Sequence, residues 1–172
     1  MSFEDSLYSP RYPSPKVCSA VGVPLDKMKH LVFRKPSVIL LTEAERAAAE
    51  PGGAFLWSFQ RALQFALTVK LNRMGLQTRH AALIAAGFTD VGNDAWDGPE
   101  PTVERLPCHL FKEGQTLLVA YEGSTEGHAI CWRPAQTLAT ALLTRSHQGR
   151  SEDAIVVHVD PIFHRLRAAL ES

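Results

Sequence analysis

Apolar positions are densest between Phe55 and Phe88, in the stretch FLWSFQRALQFALTVKLNRMGLQTRHAALIAAGF. Within it Arg61, Gln64, Thr68 and Asn72 recur at spacings of three and four, which on a helix forms a single polar stripe. Phe59, Ala62, Leu63, Phe65, Ala66, Leu67, Val69, Leu71 and Met74 fill the rest of that surface. A helix apolar over so much of its circumference has to be buried against several elements. Ser58 suits its N-cap, and Gly75 suits the left-handed position just past its end. A shorter helix follows, with Thr78 as its cap and Gly87 as its stop. This helical hairpin is expected to brace the rest of the chain, with the polar stripe as its outward face. Lys70 and Arg73 interrupt the apolar side and mark a place for an interface or a phosphate.

Upstream the pattern is weaker. Residues 1–13 hold three aromatics and two prolines without periodicity, so they read as an irregular arm. From Ser14, with Pro15 at the first helical position, a short helix would bury Val17, Cys18 and Val21 and end at Gly22. Pro24 opens a second short helix, about residues 24–33, with Leu25, Met28 and Leu31 inward. Two short helices joined by a glycine-containing turn have the layout of a helix-turn-helix. Ser37–Leu41 (SVILL) and Ala54–Trp57 (AFLW) read as strands flanking a charged, alanine-rich segment at Thr42–Pro51. Together they predict a β-hairpin wing over about residues 36–57.

Downstream, Asp90–Pro107 is rich in Asp, Glu, Gly and Pro and reads as a linker, with Trp96 docking on a flanking unit. Gln115–Tyr121 and His128–Trp132 flank EGSTEG, a hairpin signal. A helix at Pro134–Ser146, a strand at Ala154–Val159 and a closing helix with Pro161 at its first position complete a ββαβα unit. The expected fold class is α+β. Its expected parts are an arm at 1–13, a helix-turn-helix unit at 14–89, a linker at 90–107 and an αβ unit for dimerisation or partner contact at 108–172.

Charge refines this picture. The 172 residues carry 18 basic and 18 acidic side chains, yet the halves differ. Residues 1–90 hold eleven Lys/Arg against seven Asp/Glu, and residues 91–172 hold seven against eleven. Between Arg11 and Lys35 six cations face only Asp26. A basic patch on a neutral protein suits an anionic partner, although solvated surface lysines produce the same count.

The order of helix, turn, helix, wing, long buried helix and short helix resembles the winged helix-turn-helix of the MerR-like DNA-binding family. The Phe55–Phe88 segment resembles that family's third and fourth helices: it enters from a wing strand, its long helix ends in a Leu-x-x-x-Gly-Leu pattern, and its short helix is alanine-rich. The resemblance covers about residues 12–90, and the whole chain is similar in shape to small MerR-like proteins of bacterial prophages and their hosts. It implies a cytoplasmic transcription regulator that reads duplex DNA with its second helix, wing and flanking cations. Lys16, Lys27, Lys29, His30, Arg34 and Lys35 are then the DNA-binding residues. Lysines would supply phosphate affinity, and Lys29 or His30 would reach base edges. The chain departs from the family in two ways. Its second helix reads LDKMKHLVFR instead of an aromatic-rich string, and a ββαβα unit stands where a long dimerisation helix is usual. A homodimer remains an expected partner, and no small-molecule effector is identifiable.

Other chemistry finds little footing. Cys18, Cys108 and Cys131 are odd in number, distant, and form no CxxC, which suits reduced thiols. His128 and Cys131 are three apart on a strand and point to opposite faces, so Cys108, His109, His128 and Cys131 make a poor metal site. No sequence signal activates a thiolate beside His147, His158 or His164. No GxGxxG or GxxxxGK[ST] loop occurs. The chain is therefore expected to be no enzyme and to need no cofactor or metal. It shows no signal peptide and no membrane-length apolar run. The alternative function is a protein–protein adaptor on the same scaffold, working through its acidic half and an exposed Thr116–Trp132 hairpin.

Overall fold

The computed structural model describes residue 3 and residues 7–33, 37–43, 45, 55–92, 105–135, 137, 138, 142 and 153–172. The expected DNA-binding residues Arg34 and Lys35, most of Thr42–Pro51, Trp96 and most of the helix at Pro134–Ser146 lie outside these residues. Among the described residues the order is β1 (Tyr12–Pro13), α1 (Ser14–Val21), α2 (Leu25–Val32), β2 (Leu56–Trp57), α3 (Phe59–Arg73) and α4 (Thr78–Thr89). Then follow β3 (Gln115–Tyr121), β4 (His128–Trp132), β5 (Ala154–His158) and α5 (Val159–Glu171). The chain is α+β, with helices and two small antiparallel sheets.

The long buried helix forms as its pattern requires. Ser58 caps α3 by accepting from the Arg61 N–H at 3.2 Å, and Gly75 follows its end with φ of 103°. The short helix differs from expectation at both ends. Gln77, not Thr78, is its N-cap, and Gly87 does not stop it: α4 runs on to Thr89. A Cβ at Gly87 would overlap the Gly127 carbonyl, and one at Gly127 would overlap the Ile84 carbonyl. The glycines thus let α4 lie directly on the loop before β4. Pro161 stands in the first turn of α5, which begins two residues earlier. Proline is tolerated there because first-turn N–H groups have no helical partner.

The wing hairpin is overturned: its second strand forms in part, as β2, but its first strand does not. Ser37–Leu41 is not a strand, since the Val38 and Ile39 N–H groups both donate to the Leu31 carbonyl. This folds the segment back on the end of α2 and buries Ile39 and Leu41. β2 pairs instead with β1, Tyr12 opposite Trp57 and Pro13 opposite Leu56. The arm is correspondingly less irregular than it reads. Leu7 is buried, and its carbonyl accepts from the Gln60 N–H.

The C-terminal sheet has the order β4-β3-β5, both pairs antiparallel. Leu118 lies opposite Ala129 and Val157, and these three join the main core. On the other face Leu117, Val119 and Ile130 form a smaller cluster with Tyr121, Trp132, Leu142 and Val156. This is the period-two alternation of a strand carrying apolar groups on both faces. The Thr116–Trp132 hairpin is therefore exposed only in part: residues 116–120, Ala129 and Ile130 are buried, whereas Glu122, Gly123, Thr125 and Glu126 in the turn are exposed. α5 places Ile162, Phe163, Leu166 and Leu170 in the main core, with the Phe163 ring edge-on to Phe59 at 4.9 Å. The core is thus continuous from α1 to α5 and does not stop at the expected linker. No helix among the described residues is long and apolar enough to cross a membrane.

Candidate nucleic-acid interface

α1 and α2 are eight residues each, and only Gly22, Val23 and Pro24 separate them. Gly22 adopts φ of 70°, and its N–H and that of Val23 return to the Ser19 and Cys18 carbonyls. Glycine takes this left-handed conformation without the Cβ clash that other residues meet. Pro24 then sets the N-cap of α2. Val17, Cys18, Met28 and Val32 are the buried residues of the pair. Packing by these side chains leaves one long face of α2 outward.

That outward face carries Asp26, Lys27, Lys29 and His30, all exposed. At roughly 100° per residue, Asp26 and His30 share the middle of the face, and Lys27 and Lys29 point about 160° apart along its two flanks. Lys29 Nζ lies 3.9 Å from the Asp26 carboxylate. Lys16 sits half-buried on α1. The structure thus brings three of the expected contact residues onto one helix, but it sets the two lysines on opposite sides, so they form no single cationic face, and this counts against the DNA reading.

Three contacts fix the two helices on the brace. Arg73 Nη2 donates to the Gly22 carbonyl at 3.1 Å, tying the turn to the end of α3. Trp57 Nε1 donates to Ser14 Oγ at 2.9 Å, which in turn donates to the Phe55 carbonyl. The first residue of α1 is thereby held to β2.

The polar stripe of α3 turns inward at Arg61, Gln64 and Thr68, and is half-buried at Asn72. Arg61 is 4% exposed, and Gln64 and Thr68 are fully buried. Arg61 Nε reaches both Glu45 carboxylate oxygens at 3.0 Å, while its Nη1 donates to Asp90 at 2.6 Å and to Gln64 Oε1 at 3.1 Å. Asp90 also accepts from Gln60 Nε2 and from Thr89 Oγ1. Thr68 Oγ1 donates to the Gln64 carbonyl. Two carboxylates therefore compensate a guanidinium removed from water, as a buried charge demands.

A second buried arginine sits alongside. Arg105 donates to the Phe88, Val91, Leu106 and His109 carbonyls and stacks over the Phe88 ring at 4.6 Å. Burial pushes its guanidinium down to about 10. Cys108, with φ of 61°, is buried beside it and donates its N–H to the Phe88 carbonyl. Burial, reinforced by Asp90, pushes the Cys108 thiol up to about 12, so it is held as the unreactive thiol. Asp90 opens the expected linker and Arg105 lies near its far end; Arg105 is buried in the core, and half-buried Asp90 reaches into it to meet Arg61. Their opposite charges were the only sign of this in the sequence.

The remaining cysteine and histidines are dispersed. Cys131 is half-buried and donates through Sγ to the Glu113 carbonyl, His128 lies beside Tyr121, and His158 Nε2 is 3.5 Å from Asp160. Among the described residues no group of three or more His, Cys, Asp or Glu side chains is placed to hold a metal ion. Compared with protein-family models, with curated proteins and with solved structures, the chain matches none.

Proposed function

We propose that the chain binds duplex DNA through α2. The observation that carries this reading is the outward face of α2, held clear of the core by a three-residue turn and pinned to α3 by Arg73. In a major groove the middle of such a face meets base edges and its flanks meet the two phosphate backbones. Lys27 and Lys29 would each neutralise a phosphate on opposite strands, with His30 toward the bases. Asp26 beside it suits a cytosine amino group. A regulator that acts as a homodimer, with the C-terminal αβ portion at the dimer contact, is the fuller form of this proposal.

The presence of Asp26 on the same face, paired with Lys29, favours a second reading. It lowers the face to a net charge of +1 and would suit an adaptor that docks a protein by mixed charge pairs. Salt dependence separates the two. For the DNA reading, anisotropy of labelled genomic fragments should show binding whose logarithm falls with log salt. Lys27→Ala/Lys29→Ala should reduce that slope by about two, near 0.9 per phosphate lost. Binding absent at low salt, or a slope unchanged by the double substitution, rejects the DNA reading and leaves the adaptor.

A further inference from the structure

A second cationic feature lies away from the outward face of α2. Where α1, α3 and α5 meet, they enclose a notch of about 280 Å³. This is at the small end of ligand pockets, which run from roughly 300 to 1,000 Å³. Lys70 and Arg73 reach it from α3, Arg165 from α5, and Gly22 borders it at the end of α1. Ile162 and Leu166 supply apolar lining. No carboxylate lines the notch, and none of the three cations has a carboxylate partner among the described residues.

Helix electrostatics account for only part of this cluster. Lys70 and Arg73 occupy the last turn of α3, where cations complement the negative end of the helix. Arg165 lies in the middle of α5, where that benefit is absent, yet it converges on the same space. The three cations are exposed, so water screens much of their mutual repulsion, and an anion in the notch would offset the rest.

We propose that this notch binds a phosphate monoester with a small apolar body. A monoester carries close to two negative charges near neutral pH, against one for a backbone phosphodiester, and so better matches three cations. The Arg165 guanidinium can bind such oxygens through paired hydrogen bonds, Arg73 through the N–H groups it does not give to the Gly22 carbonyl, and Lys70 adds a point charge. The ester's carbon portion lies on Ile162 and Leu166. This assignment does not depend on DNA binding, because it uses none of the outward side chains of α2.

Calorimetric titration of the full chain with phenyl phosphate tests the site, with inorganic phosphate and a short labelled duplex as parallel arms. Phenyl phosphate should bind, inorganic phosphate should bind more weakly, and Lys70→Gln/Arg165→Gln should weaken the ester by about tenfold per cation removed. Arg165→Lys should recover part of the loss of Arg165→Gln. All these positions are exposed, and unchanged thermal unfolding confirms that the variants fold. No binding of phenyl phosphate, or binding untouched by the double substitution, overturns the proposal. So does loss of duplex binding in the double variant without loss of the ester, which would make the notch a backbone contact instead.

Discussion

The polar positions of α2 and those of α3 look alike as residue types but have opposite environments. On α2, Asp26, Lys27, Lys29 and His30 face water, and their one ion pair is long and exposed. On α3, Arg61, Gln64 and Thr68 face the core, and Arg61 is clasped between Glu45 and Asp90. Exposed pairs of the first kind contribute about 0–1 kcal/mol, because water screens them and the side chains lose freedom in forming them. In the second kind, loss of the buried guanidinium leaves Glu45 and Asp90, 15% and 28% exposed, with little water to replace it. A helical stripe of polar residues therefore identifies a shared face, and the partners across from it decide whether that face is inside.

The strongest challenge to this contrast is Arg61→Ala, which leaves Asp90 and Glu45 without their cation. It should cost about 3–5 kcal/mol in denaturant unfolding. A loss no greater than that of Lys29→Ala would erase the distinction between the two helices. The glycines offer a second comparison of inside with outside. Gly87→Ala meets backbone on the neighbouring loop and should cost about 1–3 kcal/mol or more, by overpacking. Gly22→Ala meets nothing within 4 Å and carries only the left-handed strain of about 1–2 kcal/mol.

Cys108 gives the same contrast as a pH effect. Its ordinary value is 9.0 and its folded value about 12, so above pH 9 the unfolded chain releases a proton that the folded chain keeps. The unfolded state then binds fewer protons, and stability falls as pH rises from about 9 toward 12. Between pH 9 and 10 this amounts to about 1 kcal/mol for one group. Arg105, held down to about 10, has the opposite sign and acts only above that pH. Cys18 is also raised by burial and adds to the fall. Subtracting the profile of Cys108→Ala isolates the Cys108 share, and identical slopes for the two proteins would remove it from the core. The smallest effect is expected on α2: Lys27→Ala and Lys29→Ala should each alter stability by less than about 0.5 kcal/mol. Their effect should be on the salt dependence of binding.

Much of the fold is legible in the sequence. The caps of α3, the turn at Gly22, the two-helix unit and the strands Gln115–Tyr121 and His128–Trp132 all follow from local backbone chemistry and periodicity. The candidate face of α2 was legible too, because Leu25, Met28 and Leu31 define its inner side and leave the charged residues outward. Lys70 and Arg73 stood out as cations on an apolar helix, whereas Arg165 carried no signal that it would join them. The wing was misread because an apolar, β-branched run such as Ser37–Leu41 is equally suited to folding back on a helix end. Gly87 was misread because a helix-breaking residue and a residue permitting close backbone approach are the same residue.

Sequence by itself determined which positions share a helix face or a strand face, since periods of 3.6 and 2 are properties of the local backbone. It also determined where α1 and α3 can end, since Gly22 and Gly75 adopt positive φ with no Cβ to hinder them. Tertiary structure alone decided that Arg61, Gln64 and Thr68 of the stripe on α3 point inward, that Tyr12–Pro13 rather than Ser37–Leu41 pairs with Leu56–Trp57, that Arg105 is buried, and that Asp90 meets Arg61. It alone brought Arg165 to Lys70 and Arg73. These outcomes depend on which distant surfaces bury each other, and a buried charge is permitted only where a partner from elsewhere in the chain arrives to meet it.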